Sequence, residues 1–298
     1  MSETKTNEAE KTTSVENIVR SLVKVRLTIS HWGGKYISAA VSSEVANQKH
    51  AEPGSVDVNV VYLPPRYAKP ISIAVSQLRT YWNSNTLPWE NDSWRIVTAK
   101  KYQVLMDGVM ALKQTFNESV ANVTNNYDDV LESSKCRLAD LFVAKNFPSQ
   151  EQLNEKYGIS IYRNSVNSAG DVRVSGLDEA TIQSIRKDVS KQYEDQIFSA
   201  TQDIVERLKT IAEDIVERTS KSDGEVVKFA TLITKINKTC DSLNGLNITG
   251  DERIDNIISQ MRYTANIDAD TLRVNSIERT NMCGQAKSIL SALDDFKG

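Results

Sequence analysis

Two apolar stripes at helical spacing constrain this chain more than any other feature. Leu105, Val109, Leu112, Phe116, Val120, Val123, Tyr127 and Val130 follow one another every three or four residues, and Leu138 and Leu141 extend the series. Ile182, Ile185, Val189, Tyr193, Ile197, Ala200, Ile204, Leu208, Ile211 and Ile215 repeat the pattern. Such spacing gathers the apolar side chains on one face of an α-helix, close to the heptad period of coiled coils. The runs predict helices over 99–145 and 178–221, on the order of 65 and 60 Å long at 1.5 Å per residue. Only 12 Gly and 6 Pro among 298 residues leave such helices uninterrupted. The same scarcity excludes a β-sandwich or propeller, which needs many turns. Phe147-Pro148-Ser149 ends the first run and Ser222-Asp223-Gly224 the second. Along the second, Asp203–Arg207, Asp214–Arg218 and Glu217–Lys221 place opposite charges four residues apart. Each such pair adds ~0.2–0.5 kcal/mol to an exposed helix.

Strand patterns lie before and between the stripes. Val23-Lys24-Val25-Arg26-Leu27-Thr28-Ile29 alternates apolar and polar residues, the signature of a half-buried strand, and ends at His31-Trp32-Gly33-Gly34-Lys35. Val56 to Tyr62, Trp94 to Val97, Gly158 to Tyr162 and Asp171 to Val174 read as further strands. Pro70 to Asn83 reads as a helix, 83–93 as a polar loop carrying Trp89, and Thr98 as the cap of the first long helix. The expected class is α+β, predominantly helical: a small mixed β head, a long antiparallel helical hairpin and C-terminal helices. The head takes 15–98 plus 158–174, the hairpin 99–157 and 175–223, the C-terminal helical section 224–298. Residues 1–14, without a large aliphatic side chain, read as a disordered tail.

Signatures of catalysis are missing. His31 and His50 have no Cys, Asp or Glu at metal-ligand spacing, and no Cys-x-x-Cys, G-x-G-x-x-G or P-loop occurs. Gly33-Gly34-Lys35 reads as a turn rather than a phosphate cradle, and Cys283 as a thiol on a helix rather than a nucleophile. The reading is therefore a non-enzyme with no cofactor and no metal. Cys136, Cys240 and Cys283 are odd in number and widely spaced, as in a reducing cytoplasm. No apolar run reaches membrane-spanning length, so no membrane association is expected.

Charge is distributed unevenly. The chain carries −3 overall, yet residues 20–110 hold eleven basic and six acidic side chains together with all four tryptophans. Cations interleaved with aromatic rings suit single-stranded nucleic acid, because the cations neutralise phosphates and the rings stack bases. Trp89, in polar sequence, is the leading stacking candidate, with Arg79, Arg95 and Lys100 flanking it and Trp32 and Lys35 at the strand-ending turn. The competing reading uses the tryptophans as the core of a small sheet.

Several local patterns resemble a family of tailed-phage and prophage proteins. They are the strand leading to His31-Trp32-Gly33-Gly34, Trp94-Arg95-Ile96-Val97 with Ala99-Lys100-Lys101-Tyr102, and Phe147-Pro148-Ser149 with Tyr157-Gly158-Ile159-Ser160. Gly170-Asp171-Val172-Arg173 and Leu246-Asn247-Ile248-Thr249-Gly250-Asp251 complete the set. The resemblance implies a third member of a gene group with a MoxR-type AAA+ ATPase and a von Willebrand A (VWA) domain protein, and supplies no catalytic residues. The expectation is a non-enzymatic protein-interaction factor of the host bacterial cytoplasm, an adaptor or substrate of that ATPase system, with self-association into a homo-oligomer as a further outcome. The alternatives are a single-stranded nucleic-acid-binding protein of phage replication or recombination, and a virion or assembly component.

Overall fold

The computed structural model describes residues 14–90, 93–221 and 227–296. Of these, 67% are helical and 11% lie in strands, which places the chain in the α+β, predominantly helical class. No helix among the described residues is long and apolar enough to cross a membrane. The chain forms two compact units. The first comprises Met1–Arg26, Asn83–Leu105 and Tyr162–Gly298, the second Leu27–Trp82 and Met106–Ile161.

The second unit is built on aromatic side chains. Strands β2 (Lys35–Ile37) and β3 (Asn59–Val61) pair antiparallel with Tyr36 opposite Val60. Helix α2 (Ala39–Gln48) is capped by the Ser38 hydroxyl, which accepts from the Val41 N–H. Most of α3 (Pro65–Ser84) and α4 (Ala99–Asn125), then α5 (Tyr127–Leu138) and α6 (Gln150–Glu155), enclose a core of Trp32, Tyr62, Tyr67, Ile71, Val75, Phe116, Val123, Val130, Phe147 and Leu153. Phe147 meets Trp32 at 5.7 Å and Tyr62 at 5.4 Å, both edge to face. That arrangement matches ring quadrupoles and adds ~0.5–1.5 kcal/mol per pair beyond area burial. Gly34 has φ +56, and its carbonyl accepts from the Tyr62 and Leu63 N–H groups at 2.5 and 3.3 Å. A Cβ at that position would overlap Leu63.

The single helix expected over 99–145 is two helices. The chain leaves helical geometry at Asn126 (φ −111, ψ 31), and α5 stops where Ala139 adopts φ 46. Both pieces nonetheless bury their stripe residues Phe116, Val123, Val130 and Leu138.

The first unit is aliphatic. Its sheet has the order β4-β5-β1-β6, from β1 (Leu22–Ser30), β4 (Leu87–Trp89), β5 (Trp94–Thr98) and β6 (Gly158–Ser165), with β5 antiparallel to both β4 and β1. Lys24 stands opposite Ile96, and Trp89 opposite Trp94. Helix α7 (Glu179–Thr219), capped by Asp178, packs most extensively on α11 (Ser276–Asp294). It also packs on β4, α8 (Phe229–Leu243) and α9 (Glu252–Thr264), while α10 (Ala269–Val274) joins α9 to α11. The α7 stripe is buried from Ile197 to Ile215 and half-buried at Ile182, Ile185, Val189 and Tyr193.

Three expectations are corrected here. The two stripes do not share one hairpin core: the stripe of α4 beyond Leu105, with that of α5, is buried in the second unit, and that of α7 in the first against α11, α8 and α9. The polar loop expected over 83–93 contains strand β4. Pro88 fits there because β4 is an edge strand, where a missing N–H costs no ladder bond. The strand expected over 171–174 does not form: a 3-10 turn, Ala169–Asp171, fixed by a reciprocal Ser168–Asp171 cap, takes its first residue, and 172–174 have no regular structure. The proposed head of 15–98 is thus divided between the units, and α8 to α11 join α7 in the first. The tail and the Ser222-Asp223-Gly224 break lie outside the described residues, Ser14 excepted.

Candidate functional site

The residues singled out from sequence separate into both units and into different environments. Trp89, Arg95 and Lys100 belong to the first unit, Trp32, Lys35 and Arg79 to the second. Trp89 is not a free stacking platform: it is 1% exposed and stacks on Tyr193 of α7, ring centres 6.0 Å apart. The strand β4 turns its side chain inward, which polar neighbours in the sequence did not reveal. Trp32 is likewise buried, and its indole N–H donates to the Tyr36 hydroxyl at 3.2 Å. Arg95 is a brace rather than a phosphate contact. It donates to the Thr86 hydroxyl at 2.6 Å, the Thr86 carbonyl at 2.9 Å and the Asn83 carbonyl at 3.3 Å, so it holds the turn before β4. Lys35, Arg79 and Lys100 are exposed. Burial and the Arg79 guanidinium together push the His31 imidazole below its ordinary pKa.

Lys101, next to exposed Lys100, is the side chain that the sequence conceals. It is 5% exposed and donates to the carbonyls of Asp241 (3.1 Å), Ser242 and Asn244 (3.0 Å). These are carbonyls that the end of α8 leaves without helical partners, so the ammonium caps that helix at the negative end of its dipole. Burial pushes its pKa down to about 8. Thr98 ties the same corner by accepting from the Lys101 N–H at 3.2 Å and donating to the Gly245 carbonyl at 2.6 Å.

Two features of the first unit have the character of binding surfaces. One is a basic and aromatic cluster on the sheet. The Lys24 ammonium lies 4.8 Å from the centre of Trp94, and the Arg26 guanidinium lies 4.9 Å from Trp94 and 4.4 Å from Tyr162. Lys24 is paired with Glu90 at 2.6 Å. Glu90 is placed for this by a left-handed turn (φ 57), where its N–H donates to the Gln196 side chain at 2.7 Å. Lys24 and Arg26 share a strand face because strand side chains alternate.

The other feature is an apolar groove of about 510 Å³. Val15 and Ile18 of α1 (residues 14–20), Ile197 and Phe198 of α7, and Phe296 just beyond α11 line it. Phe198 is 55% exposed. Glu194, Asp251 and Asp295 stand on its walls. Among the described residues the one basic side chain lining it, Arg253, is neutralised by Asp251 at 2.5 Å and lies 4.4 Å over the Phe296 ring. Among the described residues no group of three or more His, Cys, Asp or Glu is placed to hold a metal ion.

Compared with family models, curated proteins and solved structures, the chain matches none.

Proposed function

We propose that this chain is a non-enzymatic protein-interaction factor whose groove, formed by α1, α7 and the C-terminal end of α11, receives an amphipathic helix of a partner. The observation that carries the reading is the groove's chemistry. An exposed phenylalanine within an apolar floor suits the apolar face of a helix, the usual helix-in-groove mode. With Asp251 and Arg253 paired to each other, the two remaining carboxylates among the described lining residues, Glu194 and Asp295, select a partner helix with basic flanks. The resemblance to the phage and prophage family names the partner class to try first, a MoxR-type AAA+ ATPase and its VWA-domain protein. In that role the chain is an adaptor or a substrate of the remodelling system.

Calorimetric titration of the purified chain with the ATPase and with the VWA-domain protein of its own gene neighbourhood tests the proposal. The expected result is saturable binding of at least one, abolished by Phe198→Asp and weakened by added salt. Binding of neither, or unchanged binding by Phe198→Asp, overturns it.

A further inference from the structure

We propose that Arg26, held between Trp94 and Tyr162, is the phosphate-contacting residue of a site for single-stranded nucleic acid. The argument begins with an imbalance. Arg26 is half-buried, its Nε is fully buried with no hydrogen-bond partner, and its guanidinium makes no ion pair among the described residues. Other partly buried arginines of the same unit have acceptors: Arg186, whose Nε is likewise buried and unpartnered, pairs with Glu179 at 3.6 Å and donates to the Val172 carbonyl at 3.3 Å. Arg207 pairs with Asp203 at 2.6 Å and donates to the carbonyls of Ser84, Asn83 and Thr86 at 2.8, 3.0 and 3.0 Å. Arg95 has its three acceptors around the β4 turn. A buried Nε left without an acceptor is costly, since hydrogen bonds to charged groups are the ones whose loss is felt most, and the two terminal nitrogens still reach solvent. The two rings compensate through cation–π attraction, yet they accept none of its N–H groups. What the arrangement lacks is an anion.

The neighbourhood selects its class. Lys24 adds a second cation over the same Trp94 ring, and Glu90 neutralises one of the two, which leaves one positive charge uncompensated among the described residues. A planar guanidinium matches two oxygens of a phosphodiester. Tyr162 is 46% exposed, so its ring remains available to a flat partner on the solvent side. Phosphate beside a stackable ring describes a nucleotide, and stacking requires a base that is not paired in a duplex. The site uses none of the groove residues, so it stands or falls independently of the partner-helix reading.

Fluorescence anisotropy with a labelled oligothymidylate of about 15 nucleotides, at two salt concentrations, tests the site. Competition by the matching duplex and by inorganic polyphosphate separates base stacking from plain charge. Wild type should bind, release with rising salt, and prefer the single strand to the duplex. Arg26→Ala should weaken binding at least ~10-fold and flatten the salt response, whereas Arg26→Lys should restore part of it. Tyr162→Ala, at an exposed position that tolerates truncation, should weaken oligothymidylate ~10-fold while leaving polyphosphate competition unchanged, and Tyr162→Phe should bind as wild type. Absence of binding by wild type at low salt overturns the proposal. So does equal affinity for duplex and single strand, or wild-type binding by a Tyr162→Ala chain whose melting is intact.

Discussion

The second unit buries rings where the first buries cations, and the contrast shows why composition misplaces a binding site. In the second unit Trp32, Tyr62, Tyr67, Phe116 and Phe147 form the core, and their polar tips find local partners, such as the Tyr36 hydroxyl for Trp32 and the Leu141 carbonyl for Tyr62. In the first unit the core is largely Ile, Leu and Val, and two basic side chains brace its corners: Lys101 on the end of α8, and Arg207 on the carbonyls of 83–86. Trp32, Tyr62, Tyr67 and Lys101 all belong to the basic, aromatic segment 20–110. In space all four are buried and structural. The cations that carry binding chemistry are identified by what they lack, as Arg26 lacks an acceptor.

The sharpest way to break that contrast is to truncate one ring in each unit. Phe116→Ala in the second and Trp89→Ala in the first should each cost ~3–5 kcal/mol, read from urea midpoints, because both side chains are almost fully buried. Equal losses would show that rings matter alike in the two cores. A small loss for Trp89→Ala would return that ring to the surface role that its polar neighbours suggested, and the stacking on Tyr193 would then contribute little.

Next in size is Lys101→Met. It keeps the length of the side chain and removes the donor from three carbonyls, so the loss should be ~2–4 kcal/mol. Lys100→Met, one residue earlier and exposed, should change stability by less than ~0.5 kcal/mol. Thermal melting of the pair tests directly whether burial separates two adjacent lysines. Gly34→Ala examines the second unit's backbone: the left-handed φ and the overlap with Leu63 should together cost ~1–3 kcal/mol. A neutral result would mean that the turn between β1 and β2 relaxes freely, and the glycine would be a plain turn residue.

Periodicity made much of this fold legible. The stripe on α7, the strand β1 and the Thr98 cap of α4 appear where the spacing puts them. Spacing specifies that a face is buried and says nothing of what covers it. The stripes around Phe116 and Leu208 look alike in sequence, yet one meets aromatic rings and the other meets α11 and its neighbours. Leu87-Pro88-Trp89 was illegible because three residues cannot display alternation and Pro88 argues for a loop. Lys101 was illegible for another reason: the carbonyls that hold it lie about 140 residues further along the chain. The candidate cluster was half visible. Lys24 and Arg26 sit two apart on a clear strand, but the rings that flank Arg26 come from β5 and β6.

The smallest expected effect distinguishes the buried cation from every other titrating group of the first unit, and it follows from the sign of its shift. Lys101 releases its proton near pH 8 in the folded chain and near its ordinary 10.5 once unfolded. Between those values the unfolded chain binds more protons, so stability rises with pH. Cys240 acts the other way: burial raises its thiol from 9.0 to about 11, so the folded chain keeps that proton longer and stability falls above pH 9. In the second unit Tyr157, raised from 10.0 to about 12 by burial, adds a further fall above pH 10. The interval from pH 8 to 9 therefore belongs to Lys101. Stability from urea unfolding measured across it should rise for wild type, by at most about 1.4 kcal/mol for one proton over one pH unit, and fall slightly for Lys101→Met, in which the Cys240 thiol is left to titrate. A rise in both proteins would assign the titration elsewhere. A flat wild type would mean that the three carbonyls hold the ammonium charged through the whole interval, which would make the brace on α8 stronger than burial alone allows.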